Sequence, residues 1–136
     1  YDDQELEDNF IYGMVTNSKS VGGFKHIIGR NVAFDDGVFE VTLIKTPKNP
    51  IELQEIISAL LIGQIDTRHM YNIRTGKISF ESETEIPWTL DGEFGGVHYG
   101  VEIENMNKQL EIMVPEEYIH DLLADKERLA KLEKEE

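Results

Sequence analysis

Residues 9–16 alternate Phe10, Tyr12 and Met14 with Ile11, Gly13 and Val15. That period of two, in mostly β-favouring side chains, predicts a strand buried on both faces. Asn17, Ser18, Lys19 and Ser20 and the pair Gly22-Gly23 break the pattern, and residues 24–28 resume it. Beyond Asp36-Gly37, Phe39, Val41 and Leu43 alternate with Glu40 and Thr42, so residues 38–44 predict a strand with one face in water. The period changes at Asn49-Pro50, a cap residue followed by proline at the first helical position. Ile51, Leu53, Ile56, Ile57, Leu60 and Leu61 then recur at helical spacing until Gly63 stops the run. Strands return as 71–74 and 77–81 around Thr75-Gly76, which predict a hairpin, and as 97–104 and 110–114 around a turn at 105–108, which predict a second. Pro115 opens a last helix over 116–136, where Tyr118, Ile119, Leu122, Leu123, Leu129 and Leu132 form a narrow apolar stripe that fades into lysine and glutamate. Together these elements predict a mainly β domain, an antiparallel β-sandwich-like fold over 1–115, with one crossover helix and a charged C-terminal helix over 116–136.

A chain of 136 residues, 40% hydrophobic and 29% charged, holds enough apolar surface for one domain core. No apolar run reaches the roughly 18 residues of a membrane-spanning helix, and Tyr1-Asp2-Asp3-Gln4-Glu5 offers neither a basic nor a hydrophobic export segment. The absence of cysteine excludes disulfides, thiolate metal sites and cysteine nucleophiles, and suits a reducing cytoplasm. The 27 acidic residues against 13 basic ones leave a net charge of −14, which repels nucleic acid and anionic bilayers alike. Nucleic acid is therefore not an expected partner, and a membrane-lipid substrate would need another surface to supply the attraction.

Two segments carry candidate chemistry, Phe34-Asp35-Asp36-Gly37 and Leu90-Asp91-Gly92-Glu93. Asp-Gly is first of all a turn signal, since glycine takes positive φ without penalty and aspartate bonds its own backbone nearby, so both segments read as hairpin turns. A second reading makes Asp36 a ligand for a hard cation such as Mg²⁺ and Glu93 a general base, with Asp91 in support. His26, His69, His98 and His120 form no ligand pair at helical or strand spacing and read as surface or edge residues. Gly22-Gly23 and Gly95-Gly96 lack the helix that follows a phosphate loop and read as turns. Trp88, after Pro87 in a run of β-formers, reads as a core residue.

Taken in order, Phe10-Ile11-Tyr12-Gly13-Met14-Val15-Thr16-Asn17, Val21-Gly22-Gly23-Phe24, the stretch 31–41 with Asp35-Asp36-Gly37 inside it, and Trp88-Thr89-Leu90-Asp91-Gly92-Glu93 resemble the second domain of the soluble bacterial diacylglycerol kinase-like lipid kinases, relatives of the sphingosine kinases. The similarity runs from about residue 7 to 115, and the order and spacing of the motifs are more specific than any one of them.

The resemblance implies a two-domain enzyme. An N-terminal domain with a Gly-Gly-Asp-Gly-Thr loop holds ATP, and a C-terminal β-sandwich faces it across a cleft. Glu93 is then the proton acceptor for a lipid hydroxyl, with Asp91 supporting it. Asp36 binds a structural Mg²⁺ through its side chain, and Ala33 and Val38 contribute backbone carbonyls. The expected substrate is diacylglycerol or a related lipid, met at the cytoplasmic face of the membrane, and a homodimer is compatible with it. The sequence contains no Gly-Gly-Asp-Gly-Thr loop and starts at Tyr1 rather than Met, so the ATP domain is expected outside this chain and the chain alone is expected to be inactive. The competing expectation is a non-catalytic β-sandwich binding module in which both Asp-Gly pairs are only turns.

Overall fold

Strand β2 (Phe39–Lys45) organises the domain, because it is the middle strand of a three-stranded sheet and is covered on both faces. Its neighbours are β1 (Phe10–Thr16) and β3 (Met70–Thr75), both antiparallel to it. The computed structural model describes residues 1–18, 36–62, 66–111, 113–119, 123–124 and 127. The expected strand at 24–28 and the candidate ligand Ala33 lie outside the described residues, as does most of the expected helix beyond 119.

Alternation sends Val41 and Leu43 to one face of the sheet, where they meet Ile73 of β3 and Ile78 of the next strand. Phe39, Val15, Tyr71, Phe80 and Ile103 close around that cluster, together with Tyr1 and Leu6 of the N-terminal segment. On the other face Ile44 and Met70 pack against Ile56 of helix α1 (Pro50–Ile62). The helix starts where its cap predicts. The Asn49 side-chain oxygen accepts from the backbone N–H groups of Ile51 and Glu52, both at 3.0 Å, while Glu52 reaches back to the Lys48 N–H at 2.7 Å. These bonds satisfy donors that the first helical turn leaves without partners.

Burial reverses the sequence expectation for the first two strands. Strand β1, expected to be buried on both faces, is an edge strand with Ile11 61% exposed. Strand β2, expected to have one wet face, buries Glu40 and Thr42 as thoroughly as Val41. The alternation of each strand was legible, but its rank in the sheet depends on partners distant in sequence.

Pairing differs as well. Residues 71–74 and 77–81 form no hairpin: β3 pairs with β2, and the chain turns at Gly76 into a second sheet made of β4 (Lys77–Leu90) and β5 (Glu93–Glu104). The hairpin of this second sheet turns at Asp91-Gly92, with φ of 50° and 91°. Two successive positive φ values give the turn whose twist matches that of paired strands. Residues 105–108 therefore do not join two strands, and the described part of 110–114 is neither strand nor buried. Gly95 and Gly96 lie inside β5 rather than in a turn. Gly96 has φ of 96°, and a Cβ on Gly95 would come within 3.0 Å of Leu90. Trp88 is half-buried, packed edge-on to Phe80 at 5.4 Å between ring centres.

The root of the β4–β5 ribbon thus belongs to the core through Ile78 and Ile103, and its outer half projects beyond it. Ile78→Ala should cost about 2–5 kcal/mol in chemical denaturation, through lost transfer energy and a cavity between the sheets. Ile11→Ala on the open edge should stay within about 0.5 kcal/mol. Equal losses at the two positions would contradict the packing of ribbon on sheet.

Candidate functional site

Three parts of the chain meet at the root of the ribbon. The turn before β2 supplies Asp36, Gly37 and Val38, the β3–β4 junction supplies Arg74, Thr75 and Gly76, and the segment after β5 supplies Asn105 and Asn107. Asn105 ties them together: its backbone N–H donates to the Gly76 carbonyl at 2.8 Å, and its side-chain amide donates to the Val38 carbonyl at 3.2 Å. Gly37 has φ of 82°, a conformation that favours glycine, and a Cβ there would have to displace the Asn107 amide, 2.7 Å away. Asp36 and Gly37 form a bend that the Asn105 amide holds at Val38, while Phe34 and Asp35 of the expected hairpin turn lie outside the described residues.

Asp36 Oδ1 accepts from the Val38 N–H at 3.1 Å, which fixes the carboxylate over its own turn. Its Oδ2 accepts from the Arg74 guanidinium at 2.8 Å. Arg74 is the cross-strand partner of Glu40, whose Oε1 lies 3.6 Å from its Nε, too long for a good hydrogen bond. Glu40 is 1% exposed, and among the described residues neither of its carboxylate oxygens receives a hydrogen bond. Burial pushes its carboxyl above the ordinary glutamate range, Arg74 pulls it down, and Asp36 adds to the rise. Two carboxylates thus share one guanidinium, and the buried one is the less well served.

Of the three expected Mg²⁺ ligands, Asp36 and Val38 stand side by side, and Ala33 is outside the described residues. Each retains acceptor capacity, since a carboxylate offers about four lone-pair sites and a carbonyl two. With both acids ionised, Asp36, Glu40 and Arg74 carry one negative charge in excess, and the Asp36 carboxylate and the Val38 carbonyl are oxygen donors of the kind a hard cation takes. Glu40 and Arg74 escaped the sequence reading because Glu40 sits in a polar-apolar alternation that looks like an ordinary wet face.

Glu93 and Asp91 lie at the other end of the ribbon. Asp91 occupies the first left-handed position of the turn, and Glu93 opens β5 opposite Leu90. The 14 residues of β4 separate them from Asp36, a length on the order of 40 Å at about 3.3 Å per residue. The Asp36 turn and the expected base are therefore at two separate places, not one.

A third group of ligand-type side chains was not foreseen. Glu55 of α1, Asp66 and His69 bring one ligand atom each to within 4.8 Å of one another. His69 and Glu55 form a 2.9 Å hydrogen bond, and Arg68 already spans Asp66 at 2.8 Å and Glu55 at 3.7 Å. Arg68 holds the Asp66 carboxyl below the ordinary aspartate range. With Arg68 on both carboxylates and His69 on Glu55, the group serves as a polar staple between α1 and the start of β3. His69 is thus paired, whereas His98 is an exposed ribbon residue.

No family model matches the chain, and no curated protein matches it.

The buried Glu40 carboxyl makes stability depend on pH in a definite direction. A carboxyl whose folded pKa is raised stabilises the fold fully below its unfolded pKa and loses that contribution as pH rises through the folded value. The Tm difference between the wild type and Glu40→Gln should accordingly shift in favour of the wild type on acidification from about pH 7 to about pH 5. A difference that stays constant across that range would show that Glu40 is already satisfied.

Proposed function

We propose that this chain is the acceptor side of an ATP-dependent lipid kinase of the diacylglycerol kinase-like type, which transfers the γ-phosphate of ATP to a lipid hydroxyl. The observation that carries the reading is the tip of the β4–β5 hairpin, where Glu93 is the cross-strand partner of Leu90, 63% exposed, and precedes Phe94, 76% exposed. A carboxylate beside two apolar side chains that would otherwise face water suits an amphiphilic acceptor, with the chains of the lipid on Leu90 and Phe94 and its hydroxyl on the acid. The order of motifs along the sequence supports the same reading.

In this mechanism Glu93 accepts the proton of the lipid hydroxyl as that oxygen bonds to the γ-phosphorus and the bond to the leaving oxygen of ADP breaks. Phosphoryl transfer of this kind depends chiefly on positioning and charge neutralisation. ATP is held by a domain outside this chain, with a divalent cation on its phosphates supplying charge neutralisation. A short two-residue turn between long paired strands gives Glu93 a defined position, and Asp91 supports it by accepting the left-handed conformation that the turn requires. At the far end of the ribbon Asp36 and Val38 would hold a structural Mg²⁺, with Ala33 as the third ligand that the resemblance implies.

No helix among the described residues is long and apolar enough to cross a membrane. The proposed membrane contact is peripheral, at the cytoplasmic face. The net charge of −14 opposes approach to anionic lipids, so the apolar hairpin tip and the ATP domain must provide the attraction.

The test uses the protein that carries this chain together with its ATP domain, assayed for transfer of phosphate to diacylglycerol in mixed micelles. Glu93→Gln should lower kcat by about 10²- to 10⁴-fold with the melting temperature unchanged. Asp91→Asn, which the left-handed position accepts, should keep the fold and lose less than about tenfold. Wild-type turnover by Glu93→Gln would remove Glu93 from the chemistry, and a wild-type protein that phosphorylates no lipid would leave a binding module.

A further inference from the structure

We propose that Arg74 is a movable counter-cation, held by Asp36 when the turn is metal-free and passed to the buried Glu40 when a divalent cation of the Mg²⁺ type binds at Asp36. The inference rests on the reading of Asp36 as a metal ligand.

It begins with an imbalance of charge. Asp36 and Glu40 bring two carboxylates to one guanidinium, which makes its short contact, 2.8 Å, with the more accessible of the two. The contact with Glu40 is 3.6 Å long, and among the described residues no hydrogen bond reaches either Glu40 oxygen. A carboxylate that is 1% exposed cannot turn to water for its missing donors. The cation beside it gives its short bond to Asp36 and reaches Glu40 only at ion-pair distance.

A divalent ion on the Asp36 carboxylate changes that balance, because metal and guanidinium would then repel each other over a single shared carboxylate. Arg74 must withdraw, and its cross-strand partner in the sheet is Glu40. No backbone movement is needed. The Arg74 side chain is 42% exposed and has room to turn, and its five N–H donors let the same fork that now serves Asp36 bond Glu40 instead. Metal binding would thus relieve the buried acid and brace β2 against β3 in one step. Two positions for one arginine, each with its own carboxylate, couple the metal turn to the interior of the sheet.

The test is a Mg²⁺ titration of the 136-residue chain followed by thermal unfolding, with Asp36→Asn as the control for unspecific binding to an acidic protein. Arg74→Gln removes the competitor and should lower the Mg²⁺ midpoint by about three- to tenfold. Glu40→Gln removes the place to which Arg74 withdraws and should raise the midpoint by a similar factor. In Arg74→Gln/Glu40→Gln the effect of the second substitution should vanish, because the two residues act through one contact. An Arg74→Gln midpoint equal to or above the wild-type value overturns the proposal, and so does a Glu40→Gln penalty that persists without Arg74. Those outcomes leave the metal reading standing, whereas a wild-type chain with no Asp36-dependent Mg²⁺ response ends both. Should a variant fail to fold, the wild type itself decides: the Arg74 side-chain N–H resonance should shift on saturation with Mg²⁺, and an unmoved resonance contradicts the transfer.

Discussion

The structure depends on the junction at Gly76, where the chain leaves one sheet and enters the other. Thr75 holds it: the hydroxyl donates to the Lys77 carbonyl at 2.8 Å and accepts from the Lys77 N–H at 3.2 Å, a closed local loop that sets the direction of β4. Gly76 leaves no room for a side chain, since a Cβ would stand 3.0 Å from the Gly37 carbonyl. The turn before β2, the end of β3, the start of β4 and the segment after β5 are therefore forced into contact at one point. Everything at the root of the ribbon, including the Asp36–Arg74 pair, follows from that crossing.

A second consequence of the crossing is that β2 has no wet face. The ribbon and the N-terminal segment cover the face with Val41 and Leu43, α1 covers the end with Ile44, and Glu40 is closed in between its cross-strand partners Thr16 and Arg74. A buried acid with no hydrogen bond among the described residues is a costly feature for a small domain. The Arg74 guanidinium, 3.6 Å away, offsets part of that cost and links the sheet interior to the Asp36 turn. The outer ribbon faces the opposite situation: beyond Phe80 and Trp88 it has little core, and its tip carries Glu93 with Leu90 and Phe94 exposed.

What the sequence disclosed follows the range of each interaction. The cap at Asn49-Pro50, the extent of β1 and the turn propensity of Asp91-Gly92 rest on neighbours within a few residues, and all three could be read directly. Thr75-Gly76 looked like a hairpin turn of the same kind, but Gly76 does not adopt the positive φ that the tight hairpin turns demand, and Asp91-Gly92 does. Burial was misjudged in β1 and β2 because hydrophobic alternation reports how a strand is built, whereas edge or centre is decided by partners dozens of residues away. The candidate site divides along the same line. Asp36, Asp91 and Glu93 stood out through short motifs and Val38 only through the resemblance, while Glu40 and Arg74 become visible only when register sets them side by side.

The central claim is that the junction of the two sheets forms a divalent-cation site around Asp36, remote from the acceptor tip of the hairpin. Paramagnetic broadening of amide resonances by Mn²⁺, used as a stand-in for Mg²⁺, tests it most directly. Substoichiometric Mn²⁺ should broaden the amides of Asp36, Gly37, Val38 and Arg74 first and leave those of Asp91, Gly92 and Glu93 sharp. Broadening centred on Glu55, Asp66 and His69, or spread evenly over the acidic surface, would contradict the account.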